Sequence, residues 1–425
     1  MFRQRRRRSP PYNLLLGYRG FVIDSSFVIR HSSLPLASPL ENARLLYATS
    51  ARIGGSGLDS VALETLRGAH RAGVLRRAIA FANRQQEIPG SLIRSLRAHP
   101  VRLLSFLDRP HYYGVKKHYV DWIAARELAR GDFNLFHGWS GECVRTLREA
   151  RRRGIPSLIE IPTWHRNKGK RKPAKTKSER ERDAAGFPQR LFNNMLVSRR
   201  QMLEEYDLAT LILVLSEKAA ETFLAVGVSE EKLFRHSRGV DVERFTPAEK
   251  PPEIFRAIFV GALIKRKGVH QLLEVWHRLN LKDAELVLVG SVHEEIEPYL
   301  RQFGGRNVKV AGFAANPQDF YRQASVHIFP STCEGSAKAT YEAAACGLPQ
   351  ITTRDSGDVV VDGLNGIIIP PDSSDALAAA IERLYRDADL RAQMGAAGRT
   401  RVVENFTWEH FRQRLLRAYE TALKA

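Results

Sequence analysis

Residues 326–371, VHIFPSTCEGSAKATYEAAACGLPQITTRDSGDVVVDGLNGIIIPP, constrain the fold more than any other stretch of the chain. Val326 to Phe329 reads as a buried strand, Pro330 to Gly335 as a turn and roughly Ser336 to Cys346 as a helix. Gly347 and Pro349 stop that helix, and a second short strand follows. In a parallel α/β sheet, a helix that starts at the carboxyl end of a strand points unpaired N–H groups and a positive dipole end into the ligand crevice. The stretch therefore predicts an anion seat.

Two carboxylates bracket the seat: Glu334 in the turn and Glu342 within the helix. A helix starting near Ser336 carries Glu342 roughly 9 Å along its axis, at 1.5 Å per residue. That is about the span of a diphosphate with its neighbouring groups. Phosphate repels carboxylates, so each glutamate is expected to accept hydroxyls at one end of such a ligand, a sugar at Glu334 and a ribose at Glu342.

The rest of the chain alternates strands and helices. ARLLYATS (43–50) is an apolar strand, followed by the glycine-rich turn ARIGGSG and an amphipathic helix from Leu58. Further strands are expected at 77–82, 102–107, 134–137, 157–161 and 210–215, with helices at 116–130, 140–153 and 186–205. This pattern gives a doubly wound parallel sheet. The proline-bearing run RGVDVERFTPAEKPPE (238–253) reads as a linker. A second α/β domain follows, with strands at 257–261, 285–289, 308–311 and 326–329. A dinucleotide fingerprint is not supported: Gly55-x-Gly57-x-x-Ser60 lacks its third glycine, and no acidic residue ends the next strand. Asp387-Ala-Asp389 lies in an interhelical turn and is read as structural.

Strand ends and helix starts supply further candidates. Arg266 and Lys267 open the helix after the turn ALIKRK and are expected to neutralise phosphate charge. His137 ends the strand NLFH at the ligand edge of the first sheet. His165 follows the next strand beside Trp164, whose ring could stack on a sugar, and both are acceptor-side candidates.

Composition bounds the remainder. A chain of 425 residues exceeds one ordinary core, its 44% hydrophobic content suits a folded protein, and no apolar run is long enough to suggest a membrane span. A formal charge of +20 implies attraction to polyanions, whether phosphorylated substrates or an anionic membrane face. Three cysteines form neither a disulfide framework nor a metal spacing, so a reducing, cytoplasmic setting without a metal or cofactor is expected. Residues 1–42, arginine-rich at the start, are expected to be an extension, either a transit-like segment or the product of a start codon placed too far upstream. RNKGKRKPAKTKSERER (166–182) is net basic and nearly devoid of apolar residues, and is expected to be a surface loop.

The stretch PSTCEGSAKATYEAAACGLPQITT, followed by VDGLNGIIIPP, resembles the donor-binding signature of glycosyltransferase family 4, with its E-x7-E motif. RGVDVERFTP, FVGALIKRKGVHQLLEVW and ENFTWEHF match the same family in the same order. The resemblance covers nearly everything from Ala43 onward. It implies an α/β chain of GT-B architecture, two Rossmann-like doubly wound domains (43–247 and 248–404) facing across a cleft, with a last helix (405–425) crossing back onto the first. It also implies a retaining, metal-independent transferase moving a hexose-type sugar from a nucleotide-diphosphate sugar, UDP or GDP being the expected carrier, to a glycan, lipid-linked or small-molecule acceptor.

Carried over by position, the resemblance puts Gly54 and Gly55 opposite the diphosphate and His137 on the donor sugar. Gly312 and Phe313 would meet the base. Gly261 would belong to the phosphate turn, and Gly335, Ser336, Ala337 and Lys338 to the donor seat. The chain departs from the pattern at Ala262, where the family usually has an arginine, and at Ser336–Lys338, where it has an aromatic residue, a glycine and a leucine. Two rivals share parts of this reading. One is a GT-B sugar-nucleotide epimerase, and the other is a non-enzymatic polyanion binder using residues 1–8 and 166–182; nucleic acid is not the expected partner.

Overall fold

A computed structural model describes residues 39–55, 57–96, 100–171, 192–305 and 307–425, together with positions 180, 186 and 189. The expected extension, apart from 39–42, and most of the basic segment 166–182 lie outside the described residues. Two parallel sheets organise the chain. The first comprises β1 (Leu45–Ile53), β2 (Leu75–Asn83), β3 (Ile93–Ser95), β4 (Leu135–Trp139), β5 (Ser157–Glu160), β6 (Leu211–Val214) and β7 (Leu233–Arg235), in the order β3-β2-β1-β4-β5-β6-β7. The second comprises β8 (Phe255–Val260), β9 (Ala284–Val289), β10 (Val308–Gly312), β11 (Val326–Phe329), β12 (Gln350–Thr352) and β13 (Gly366–Ile368), in the order β10-β9-β8-β11-β12-β13.

Every strand pair is parallel, and the central strands β4, β5, β6, β9, β11 and β12 are buried along their whole length. Helices cover both faces of such sheets, so their strands read as continuous apolar runs. In each sheet the strand order reverses beside the first strand, between β1 and β4 and between β8 and β11. Crevices open there, past the carboxyl ends of the strands.

One expected strand is absent. Residues 102–107 read as apolar, yet Pro100–Leu104 forms a 3-10 turn and the third strand is the short Ile93–Ser95. Leu103 and Phe106 are each 79% exposed, so no partner surface holds that run extended. The expected helix at 186–205 is described from Arg199 to Leu208, where Ser198 and Gln201 form a reciprocal capping box.

The Trp408–Lys424 helix lies on the first sheet, not the second. Phe411, Leu415, Ala418 and Tyr419 share one buried cluster with Leu45, Tyr47, Leu135 and Leu158. Arg412 pairs with Glu64 of the Leu58–Arg71 helix. The chain thus crosses between the sheets twice, and the crossings run side by side: Val240 bridges Thr407, and the Val240 amide donates to the Phe406 carbonyl at 2.9 Å.

Candidate active site

A cavity of about 900 Å³ lies between the two sheets. Its walls come from the Leu58–Arg71 helix, the 238–245 crossing, the ends of β8 and β11, the 313–317 loop, the start of the Lys338–Ala345 helix and the last helix. Helix 338–345 begins two residues later than the sequence suggests. The backbone before it is engaged elsewhere: the Ala337 amide donates to the Ser356 carbonyl at 2.8 Å, and the Ser336 carbonyl accepts from Arg238 Nε at 3.1 Å. In the first turn the Thr340 amide donates to the Ala337 carbonyl at 3.1 Å, while Lys338 and Ala339, which open the helix, line the cavity.

The cations around this helix start divide by role. Lys267 lines the cavity with its ammonium against Gly261, where a Cβ would stand 3.0 Å from Nζ. Burial lowers its pKa below the ordinary lysine range, against the pull of the Glu334 carboxylate 3.7 Å away. Arg266 does not line the cavity. Its guanidinium is held by the Glu334 carboxylate at 2.8 Å and by the Cys333 carbonyl, because the 3-10 turn Lys265–Lys267 points successive side chains in different directions. Arg238 lines the cavity, is 6% exposed, and pairs with no carboxylate among the described residues. It lies within the recognisable RGVDVERF run, but there it reads as part of a linker. Arg412 and Trp408 also line the cavity, brought there by the last helix, whose return to the first domain the family resemblance implied.

Glu334 and Glu342 both line the cavity. Glu342 accepts from Tyr321 at 3.2 Å and pairs with Lys338 at 3.0 Å, so Lys338 is held on the Glu342 carboxylate. Gly335 packs closely against the first domain. A Cβ there would lie 2.5 Å from the Pro162 carbonyl oxygen, and the Gly335 carbonyl accepts from Ser216 Oγ at 2.7 Å. Gly55 lines the cavity opposite, whereas Gly54 (φ +86°) shapes the turn behind it. Gly312 (φ +73°) turns the chain so that Phe313, 71% exposed, stands at the cavity mouth.

Three first-domain candidates lie away from the cavity. His137 has no exposed surface; its ring packs edge-on between Tyr47 and Tyr419, with Nδ1 2.9 Å from the Tyr419 hydroxyl. Burial lowers its pKa to about 3. The last helix, landing on the strand end, removes this histidine from the ligand edge. His165 is buried between Tyr206 and Phe223, and Trp164 packs against the first-domain core. The His165 ring is therefore withheld from a sugar, while Trp164, partly buried, lines neither the donor cavity nor the smaller cavity of the first domain. Among the described residues no group of three His, Cys, Asp or Glu is arranged to hold a metal ion, and no helix is long and apolar enough to cross a membrane.

Two parallel Rossmann-like sheets facing across a cleft constitute a GT-B fold. Thermosynechococcus elongatus sucrose-phosphate synthase superposes with a TM-score of 0.64 over 89% of this chain and 98% of that one, at 18% identity. The complex of Anabaena HepE with UDP-glucose gives a TM-score of 0.61 over 88% and 98%, at 17% identity. Residues 254–387, the bulk of the second domain, match the family described as Glycosyl transferases group 1. The chain is also 29% identical over 238 residues to the capsular polysaccharide biosynthesis glycosyltransferase CapM of Staphylococcus aureus. That match spans 51% of this chain and 63% of CapM, less than two thirds of the relative's length. Residues 254–387 are thus similar to a group 1 glycosyltransferase domain, and the whole has a GT-B fold.

Proposed function

We propose that the protein is a retaining glycosyltransferase that moves a hexose-type sugar from a nucleoside-diphosphate sugar to an acceptor hydroxyl without a required metal. The carrying observation is the cavity itself: a helix start flanked by Lys267 and Arg238, with Glu334 and Glu342 on its walls. The base would stand against Phe313, the ribose hydroxyls on Glu342 and the transferring sugar on Glu334. The diphosphate would lie over the first-turn amides.

Chemistry in such a site is largely electrostatic. As the glycosidic bond lengthens, negative charge gathers on the departing diphosphate. Lys267, Arg238 and the helix amides are fixed in place to receive it. Closing the cleft over the donor would exclude water, strengthening those interactions and protecting the donor from hydrolysis. Glu334, held by Arg266 and Lys267, orients sugar hydroxyls. The acceptor oxygen enters on the face the diphosphate leaves, and no carboxylate nucleophile is needed. The HepE complex with UDP-glucose, on the same fold, supports the donor class, and the group 1 domain match supports the reaction.

Thermal unfolding with UDP, GDP, ADP and TDP in turn tests the donor site. A ligand at 100 times its Kd adds about 2.7 kcal/mol, a shift of a few degrees. The expected result is selective stabilisation by one nucleotide, lost in Glu342→Ala. Glu334→Ala should abolish transfer while the fold survives; normal turnover in that variant would sink the assignment.

A further inference from the structure

A second, smaller cavity of about 310 Å³ lies wholly in the first domain, at the carboxyl ends of β1 and β4. It adjoins the donor cavity. Leu58 lines both, and Pro162 on its wall is the residue whose carbonyl approaches Gly335, next to Glu334. A molecule in this pocket therefore lies beside the sugar end of the donor site.

The pocket combines two kinds of wall. One suits a sugar or polyol: Trp139 and Tyr113 supply aromatic surface, Ser140 a hydroxyl and Glu142 a carboxylate fixed by the Ser50 amide at 2.9 Å and the Ser50 hydroxyl. The other is cationic. Lys116 is only 7% exposed, with its ammonium 4.0 Å from the Phe81 ring centre and 4.8 Å from that of Tyr113. Lys117 lies alongside, near Gly141. Neither lysine forms an ion pair with a carboxylate among the described residues. Glu142 is the carboxylate that attracts Lys116 most strongly, and Arg52 and Asp59, also in the lining, stand 3.9 Å apart. A buried ammonium without a bonded counter-ion carries a desolvation cost that an incoming anion offsets. Aromatic faces alone recover only part of it.

We propose that this pocket is the acceptor subsite and that the acceptor is a phosphorylated sugar or polyol, its phosphate on Lys116 and Lys117 and its hydroxyls toward Glu142 and Ser140. The assignment of the pocket as an acceptor site rests on the transferase reading above; its chemistry does not.

The test is calorimetric titration of the full-length protein with glucose 6-phosphate, inositol 1-phosphate, their uncharged parents and inorganic phosphate, in wild type, Lys116→Met, Lys117→Met and Lys267→Met. The expected result is binding of at least one sugar phosphate at least tenfold tighter than its parent. That preference should be lost in both pocket variants and kept in Lys267→Met. Should Lys116→Met misfold, Lys117→Met carries the test. Equal binding of charged and uncharged sugars, no binding, or loss only in Lys267→Met would overturn the proposal, the last by placing the phosphate in the donor cavity. Vesicles of phosphatidylinositol in phosphatidylcholine separate the sources: co-sedimentation lost in Lys117→Met assigns the phosphate to a lipid headgroup, and none assigns it to a soluble acceptor. UDP and GDP titrated in parallel keep the two readings apart. Sugar-phosphate binding without nucleotide binding would refute the transferase and leave the pocket; nucleotide binding alone would refute the pocket.

Discussion

Acidification to pH 5.5 should destabilise the protein steeply, because four histidines are buried in their neutral form. His137, His236 and His327 have no exposed surface, and His165 is 4% exposed. Burial lowers His137 to about 3, His165 and His327 to about 4, and His236 well below the ordinary value. An unfolded chain binds a proton at each near pH 6.5. This contribution to stability is complete above that pH and is lost as pH falls toward the folded-state values. Two buried glutamates act in the opposite sense. Burial raises Glu160 and Glu205 to about 7, so the folded chain keeps protons that the unfolded chain releases near 4.5; their contribution is complete below 4.5 and fades as pH rises to 7. At pH 5.5 these four histidines outnumber the two glutamates, and across these six groups unfolding takes up about two protons net. The slope is then about 2.5 kcal/mol per pH unit, with stability rising with pH. Urea midpoints measured between pH 7 and 5 should fall by on the order of 0.5–1 M per unit near pH 5.5. In His236→Phe, whose ring would stay against Phe411, the slope should drop by about 1.4 kcal/mol per unit. A flat profile, or midpoints that rise on acidification, would refute the reasoning.

Other expectations follow from close contacts. Gly335→Ala sets a Cβ against the Pro162 carbonyl and cannot be relieved by a side-chain swing. Overpacking should disfavour the closed arrangement by about 1–3 kcal/mol, a 5- to 150-fold population change, seen as a lengthened distance between dyes across the cleft with nucleotide affinity retained. Lys267→Met should weaken nucleoside-diphosphate binding about 10- to 100-fold in calorimetry, the worth of one charge-assisted hydrogen bond, without lowering the melting temperature. Tyr419→Phe leaves His137 Nδ1 without its hydroxyl partner and should cost about 1–3 kcal/mol in denaturant unfolding.

The fold was readable where it is local. The strand β11, the turn and the helix behind Glu334 and Glu342 lie in one stretch, and their periodicity and stops stand in consecutive residues. The same holds for the turn before Lys267. What escaped reading depends on distant partners. His137 looks like a ligand-edge histidine until Tyr419, 282 residues later, lies on it. Arg238 reads as part of a linker until the Ser336 carbonyl, 98 residues away, fixes it at the cavity wall. Arg266 and Lys267 are equivalent as letters, and only the 3-10 turn sends one to Glu334 and the Cys333 carbonyl and the other to the cavity. Apolar letters misled at 102–107, where nothing packs against Leu103 and Phe106.

Because the Trp408–Lys424 helix covers the first sheet, the order in which the chain is made differs from the order in which it can finish folding. The last strand of that sheet, Leu233–Arg235, leaves the ribosome long before Phe411, Leu415 and Tyr419 exist to cover Leu45, Tyr47 and Leu158. At 5–20 residues per second the interval is on the order of 10–40 s. Throughout that interval an apolar face waits uncovered while the whole second domain is synthesised. A chain terminated before Trp408 would leave that apolar surface exposed for good.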